Sequence, residues 1–247
     1  MKIIASDYDG TLNYGGIGDK KRNAIKLWRA KGNKFGLVSG RGLKNLIDIP
    51  EEDGFECDFI LASNGAVIAE ADGTVLRQVL CDGVLAKPLI DFIFSEGCRR
   101  ANVETAYDRV VICVDPKHPD CDVPYENMPE ISYFTQISTV AEDAESASAV
   151  TEKIREKFGE YLNPLQNGDC IDIVARDVNK AKGLYDYLES VGAAYDDMIT
   201  VGDNINDTHM IKEFRSYAMK NAVDSIKAIA DCETEGITEL IEKELSE

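Results

Sequence analysis

The chain has 247 residues, 44% of them hydrophobic, with 27 basic against 45 acidic side chains and a formal charge of −18. So negative a balance excludes a general nucleic-acid or anionic-membrane surface, since both need basic patches, and no apolar run approaches the ~20 residues that cross a bilayer. Seven dispersed cysteines without a C-x-x-C pair, and only two histidines, argue against a disulfide framework or a zinc site, so any metal is expected to be hard and oxygen-bound.

Met1 to Ala5 leads directly into polar residues and an acid, which is no signal-peptide core, and a cytoplasmic protein is expected. Lys2 to Ser6 reads as a short, branched, buried strand that breaks into Asp7-Tyr8-Asp9-Gly10-Thr11. Lys20 to Lys31 is predicted helical and closed by Gly32, and Lys34 to Ser39 is a second strand. Arg41 to Ile49 is predicted as a helix that stops before Pro50. Phe59 to Ala62 is a third strand, followed by the hairpin signals Asn64-Gly65 and Asp72-Gly73. Strand, helix, strand, helix, strand implies a parallel sheet with right-handed crossovers.

The middle third changes character. Leu85 to Glu96 reads as a helix with Pro88 in its first turn, and Arg109 to Asp115 and Ile131 to Ile137 read as strands around a polar loop. An amphipathic helix, Ala144 to Phe158, precedes two short strands near Tyr161 to Leu165 and Cys170 to Ala175. That order suggests an α+β module inserted into the parallel core. The earlier pattern then returns, with a helix from Ala181 to Val191 and a buried strand from Met198 to Val201. An acidic turn, Gly202 to Asp207, leads to a helix near Thr208 to Phe214, a short strand from Ser216 to Met219, and helices at Ala222 to Ala230 and Ile237 to Glu244.

Four groups sit at or just after core strands: Asp7 with Asp9; Ser39-Gly40-Arg41; Lys180, opening a helix after Asp177-Val178-Asn179; and Gly202-Asp203-Asn204-Ile205-Asn206-Asp207. In an open parallel sheet such strand ends converge on one edge, where ligands bind. Two acids there repel each other unless a cation or a proton relieves the pair. Together the groups supply a nucleophile, an acid, a hydroxyl, a fixed cation and metal ligands, the inventory of phosphoryl transfer. Taken singly, Ser39-Gly40-Arg41 reads rather as a helix cap beside a surface arginine, and Lys182 competes with Lys180.

The order and wording of these groups resemble the haloacid dehalogenase-like (HAD) hydrolase superfamily. Asp7-Tyr8-Asp9-Gly10-Thr11-Leu12 matches D-x-D-G-T-L, Ser39-Gly40-Arg41 the Ser/Thr-Gly-Arg motif, Val178-Asn179-Lys180 the v-x-K motif, and Gly202 to Asp207 the G-D-x-x-N-D motif. Ala62 to Ala66 and Ala218 to Ala222 resemble the Cof-type (IIB) subgroup, with Lys220 where that subgroup usually has glycine. The resemblance implies a doubly wound, Rossmann-like α/β core from 1–81 and 177–247. It also implies an α+β cap of the C2B type at 82–176, placed over the strand-end edge to read the leaving group, with Arg99, Arg109 and Tyr125 as candidate contacts.

The same resemblance implies roles. Asp7 would form an aspartyl-phosphate, and Asp9 would protonate the leaving oxygen and then activate water. Mg²⁺ would be held by Asp7, the Asp9 main-chain oxygen and Asp203, with Asp207 and Thr11 behind them. Ser39, Gly40, Arg41, Lys180 and Asn206 would contact the phosphoryl group or its surroundings. The expected function is an Mg²⁺-dependent phosphatase of small phosphorylated metabolites, such as sugar phosphates. A phosphosugar mutase sharing the aspartyl-phosphate step, or a non-catalytic metabolite sensor, would use the same fold.

Overall fold

The structure, a computed structural model, describes residues 1–246. In chain order the first elements are β1 (Ile3–Asp7), α1 (Asp19–Ala30), β2 (Lys34–Val38), α2 (Ile49–Asp53), β3 (Phe59–Ala62), β4 (Val67–Glu70) and β5 (Val75–Gln78). The middle stretch holds β6 (Cys81–Asp82), α3 (Ala86–Ser95), β7 (Arg100–Glu104), β8 (Arg109–Cys113), β9 (Val123–Pro124), β10 (Tyr133–Phe134), β11 (Gln136–Val140), α4 (Ala144–Phe158), β12 (Leu162–Asn167) and β13 (Cys170–Ala175). Then come α5 (Lys180–Val191), β14 (Met198–Gly202), α6 (Thr208–Glu213), β15 (Arg215–Met219), α7 (Asp224–Lys227), β16 (Cys232–Thr234) and α8 (Ile237–Ser246). The chain divides into two compact units, one of residues 1–77 with 179–247 and one of residues 78–178. Among the described residues, no helix is long and apolar enough to cross a membrane.

The first unit is built on an eight-stranded sheet of order β16-β15-β14-β1-β2-β3-β4-β5. Strands β16 through β3 run parallel, and β4 turns back against β3. Ile3, Ile4, Phe35, Leu37, Ile60 and Leu61 are fully buried, which is why these strands read as continuous rather than alternating apolar runs. The chain winds outward from β1 in one direction through β2 and β3, and in the other through β14 and β15. Neighbouring β1 and β14 therefore flank the point where the strand order reverses, the place where doubly wound sheets hold ligands. Away from that edge, Glu244 of α8 is 3% exposed and accepts from Lys2 Nζ at 2.9 Å, Arg215 Nη2 at 2.7 Å and the Tyr217 hydroxyl at 2.6 Å. These bonds pin the last helix to the first strand and to β15.

Two predicted helices are replaced or shortened. Between 41 and 49 there is no continuous helix; Leu43–Asn45 forms a tight single turn, and α2 begins at Ile49 with Pro50 inside its first turn. Proline there sacrifices no hydrogen bond, because the first helical N–H groups have no partner within the helix, so it starts this helix rather than ending one. The helix predicted from Ala222 to Ala230 shrinks to Asp224–Lys227.

The second unit is a six-stranded sheet, order β12-β13-β11-β7-β8-β9, with every pairing antiparallel except β8 with β9. Its core joins Ile90 and Ile93 of α3 and Ala147 and Ile154 of α4 to Ala101, Val103, Ile137, Ile171 and Ile173. The alternate residues are polar and pair across strands: Gln136 lies opposite Glu104, and Ser138 lies opposite both Asn102 and Asp172. The strand predicted from Ile131 to Ile137 is split. Tyr133–Phe134 pairs with β6, while Gln136–Val140 enters the larger sheet. The strand Arg100–Glu104 was not predicted at all, because its arginine and its glutamate mask the alternation of Ala101 and Val103.

Glu104 is 5% exposed and accepts from Gln136 Nε2 at 3.3 Å. Burial, and then the nearby Asp172, push its carboxyl up to about 8, with Arg109 acting in the opposite direction. A carboxyl raised on folding stabilises the fold below its unfolded value, and that contribution is lost as pH rises through the folded value. The thermal midpoint is therefore expected to fall between about pH 5 and pH 8, and Glu104→Gln should flatten that slope and raise the midpoint at pH 8. Parallel slopes for the two proteins in scanning calorimetry would contradict this.

Candidate active site

The site begins where β1 runs out. Asp7 is the last residue of the strand and only 5% exposed, and the chain then makes a wide turn in which the Asn13 N–H donates to the Tyr8 carbonyl at 2.9 Å. Gly10 takes φ +79° in that turn, and a Cβ there would lie 2.8 Å from Asp203 Cγ, so only glycine fits. The Thr11 hydroxyl donates to Asp203 Oδ1 at 2.7 Å, and Asn221 Nδ2 donates to the Gly10 carbonyl at 2.9 Å. Asp203 comes directly after β14, and its carbonyl accepts from the Val223 N–H at 3.0 Å. The ends of β1 and β14 are thus tied together by side chains as well as by the sheet.

Lys180 opens α5, whose N-cap Asn179 accepts from the Lys182 N–H at 3.0 Å. The turn after β3 braces this helix start: Gly65 has φ +102°, and a Cβ on it would sit 2.5 Å from the Asn179 carbonyl oxygen. Lys180 is wholly buried, which a lysine tolerates only when paired. Its Nζ donates to Asp7 Oδ1 at 2.6 Å and to Asp207 Oδ1 at 2.5 Å. Asp207, also fully buried, uses its other oxygen to accept from the N–H groups of Asp203 and Asn204 at 2.9 and 3.2 Å. With both oxygens engaged, Asp207 orients Lys180 and fixes the acidic turn. Lys182 is not the equivalent group, since it is half exposed and pairs with Asp186.

Asp7, Asp203 and Asp207 each bring a carboxylate oxygen within 4.8 Å of the others. Burial raises the Asp7 carboxyl well above the usual range; Lys180 lowers it, and Asp207 and Asp203 push it back up. The Asp203 carboxyl is raised as well, first by burial, while Thr11 and the bond shared with Asp7 lower it. Burial works against the charge on Lys180, but Asp207 and Asp7 outweigh it and hold the ammonium above its ordinary value. Two acids so close, with one lysine between three carboxylates, leave a net negative pocket that fits a divalent, oxygen-seeking cation.

The remaining predicted residues take up different positions. Val38 pairs with Asp7, so Ser39 and Gly40 emerge from β2 at the strand end beside Asp7. Ser39 is 2% exposed, and its Oγ accepts from the Arg41 N–H at 3.1 Å, which leaves the hydroxyl proton free to donate. Asn206 is 8% exposed within the acidic turn. The Asp9 side chain is partly exposed and gripped by Arg41, with Nε to Oδ2 at 2.8 Å and Nη2 to Oδ1 at 2.6 Å. Sequence reasoning gave no role to Asn221 or Tyr8. The first sits in a stretch singled out only for its resemblance, and the second occupies the variable position between the two acids. Of the other candidates, Tyr125 donates to Asp91 and lies by Lys87 within the second unit.

Fold and site together define a hydrolase of the HAD type. A family profile for haloacid dehalogenase-like hydrolases matches residues 4–239, and the chain belongs to that family, in its Cof-type phosphatase group. It is 23% identical to the 5-amino-6-(5-phospho-D-ribitylamino)uracil phosphatase of Escherichia coli, over 99% of this chain and 96% of that protein. The Bacillus subtilis protein of the same name is 26% identical over 94% of this chain and 88% of its own length. Among solved structures, a HAD subclass IIB sugar phosphatase superposes with a TM-score of 0.80 at 19% identity, covering 98% of each chain.

Proposed function

We propose that this protein is an Mg²⁺-dependent phosphatase of small phosphorylated metabolites, sugar phosphates foremost, acting through an aspartyl-phosphate. In this reading residues 1–77 and 179–247 form the catalytic core, and residues 78–178 the cap. One observation carries it: a buried carboxylate at the reversal point of a parallel sheet, held by a buried lysine with a second acid facing it. The names of the two relatives, both 5-amino-6-(5-phospho-D-ribitylamino)uracil phosphatases, and of the sugar phosphatase support the substrate class.

Asp7 Oδ1 is held by Lys180, and its other oxygen would attack phosphorus while the ester oxygen departs. Asp9 would give that oxygen a proton and then take one from the water that releases phosphate. The Ser39 hydroxyl and the Lys180 ammonium would hold phosphoryl oxygens, with Asn206 beside them. Asp7, Asp203 and the Asp9 main-chain oxygen would hold Mg²⁺, which when bound neutralises charge on the phosphoryl group. Phosphate release from a panel of sugar phosphates and polyol phosphates is expected with Mg²⁺ and is expected to stop on chelation. Release undiminished by chelator, or no release from any ester, would overturn the proposal; isomerised ester without phosphate would identify a mutase.

A further inference from the structure

The grip of Arg41 on Asp9 belongs to a longer arrangement. The Arg41 guanidinium lies over the Tyr8 ring, 5.3 Å from its centroid. Tyr8 is 6% exposed, and its hydroxyl donates to Asp53 Oδ2 at 2.9 Å. The Asp53 carbonyl in turn accepts from Arg22 Nε at 2.8 Å, so the end of α2 is anchored to α1. Asp9, Arg41, Tyr8 and Asp53 thus form a continuous stack from the strand-end turn to the helix that Pro50 begins. Asp9 and Arg41 are each more than 40% exposed along their side chains, so their attraction is worth little as stability. What a two-pronged guanidinium bond on an aromatic face does fix is direction. A lone, solvated aspartate explores several rotamers; this one has both oxygens held in a single plane.

We infer that Arg41, seated on Tyr8, is a positioning residue that orients the Asp9 carboxyl to give a proton to the ester oxygen and then to take one from the water that releases phosphate. The inference rests on the acid–base role of Asp9 in the proposed reaction. Arg41 on this account serves the leaving group rather than the transferred phosphoryl group. Protonation of the departing oxygen matters for an alkyl ester, whose alkoxide leaves poorly, and hardly matters for a nitrophenyl ester, whose phenolate leaves unaided. A residue that acts through Asp9 must therefore discriminate between those two substrates, whereas one that binds phosphate or merely supports the fold affects both alike.

The test compares kcat/KM for glycerol phosphate and for p-nitrophenyl phosphate in wild type, Arg41→Gln, Arg41→Lys, Tyr8→Leu and Tyr8→Phe. Arg41→Gln is expected to lose about 10²-fold on the alkyl ester, the scale of misplaced acid–base catalysis. Its loss on the aryl ester should be no more than about threefold, because the phosphoryl contacts remain. Arg41→Lys should lose nearly as much, since an ammonium cannot fork across both oxygens. Tyr8→Leu should show the same selective loss, and Tyr8→Phe, which keeps the ring face, should retain most of the alkyl activity. Equal losses on both esters, or none on either, would overturn the inference. Asp7→Asn serves as the separate control: phosphate release that survives it sinks the aspartyl-phosphate reading itself, whatever the Arg41 ratio shows.

Discussion

Asp7→Asn is expected to abolish phosphate release, lowering kcat by at least about 10⁴-fold, the scale seen when an enzyme loses its nucleophile. Asparagine has nearly the same shape, so the loss would come from charge alone: a neutral amide oxygen does not attack phosphorus. The fold should not suffer. Lys180 keeps its bond to Asp207, and one of three crowded carboxylates is removed. Burial and the neighbouring Asp207 and Asp203 already oppose ionisation of Asp7. The variant should therefore melt at the same temperature as the wild type or higher. Inactivity together with a lowered midpoint would point to unfolding, and retained turnover would rule out Asp7 as nucleophile.

Lys180→Met is expected to have the largest effect on stability. Both partners of the lysine are buried, and removing one member of such a group leaves the others uncompensated, at a cost of about 3–5 kcal/mol. The dependence on pH comes from the sign of each shift. In the wild type the ammonium is raised by its carboxylates, so its contribution is complete at neutral pH and fades only as pH climbs beyond the ordinary lysine range. Without the lysine, Asp7 loses the chief influence that lowers its carboxyl. A carboxyl raised on folding stabilises below its unfolded value and is a liability above it, so the variant should be least impaired near about pH 4 and worsen toward about pH 8. Calorimetry at several pH values measures this directly, and a constant deficit would mean that lost packing, not charge, is responsible.

The acids at the strand ends were legible in the sequence because each comes after an uninterrupted apolar run. Ile3-Ile4-Ala5 and Ile199-Thr200-Val201 can only be central parallel strands, and such strands deliver the residues beyond them to one edge. The structure brings Asp7, Lys180, Asp203 and Asp207 together there. Legibility failed where local signals were overridden by tertiary pairing. Arg100–Glu104 is a strand because Ala101 and Val103 join the second unit's core, although its ends are charged. Cys232–Thr234 is a strand only because β15 lies beside it. The Arg41 fork was invisible for another reason. It joins residues 32 positions apart through a side-chain geometry that no spacing rule encodes, over a ring that hydropathy counts simply as apolar.

The split of the first unit has a consequence during synthesis. Lys180 meets Asp7 across 173 positions, and Thr11 meets Asp203 across 192. On the ribosome, Asp7 would emerge long before any of these partners exist, and the flank of β1 that later receives β14 would wait bare. The continuous stretch 78–178 needs nothing downstream to pair its own strands, so it is expected to settle while the rest is still being translated. The nascent chain would thus carry one open, sticky edge, that of β1, a natural client for chaperones, until residues 179–247 close it. Phosphoryl chemistry would switch on only after Lys180 and Asp203 have emerged to meet Asp7 and Thr11.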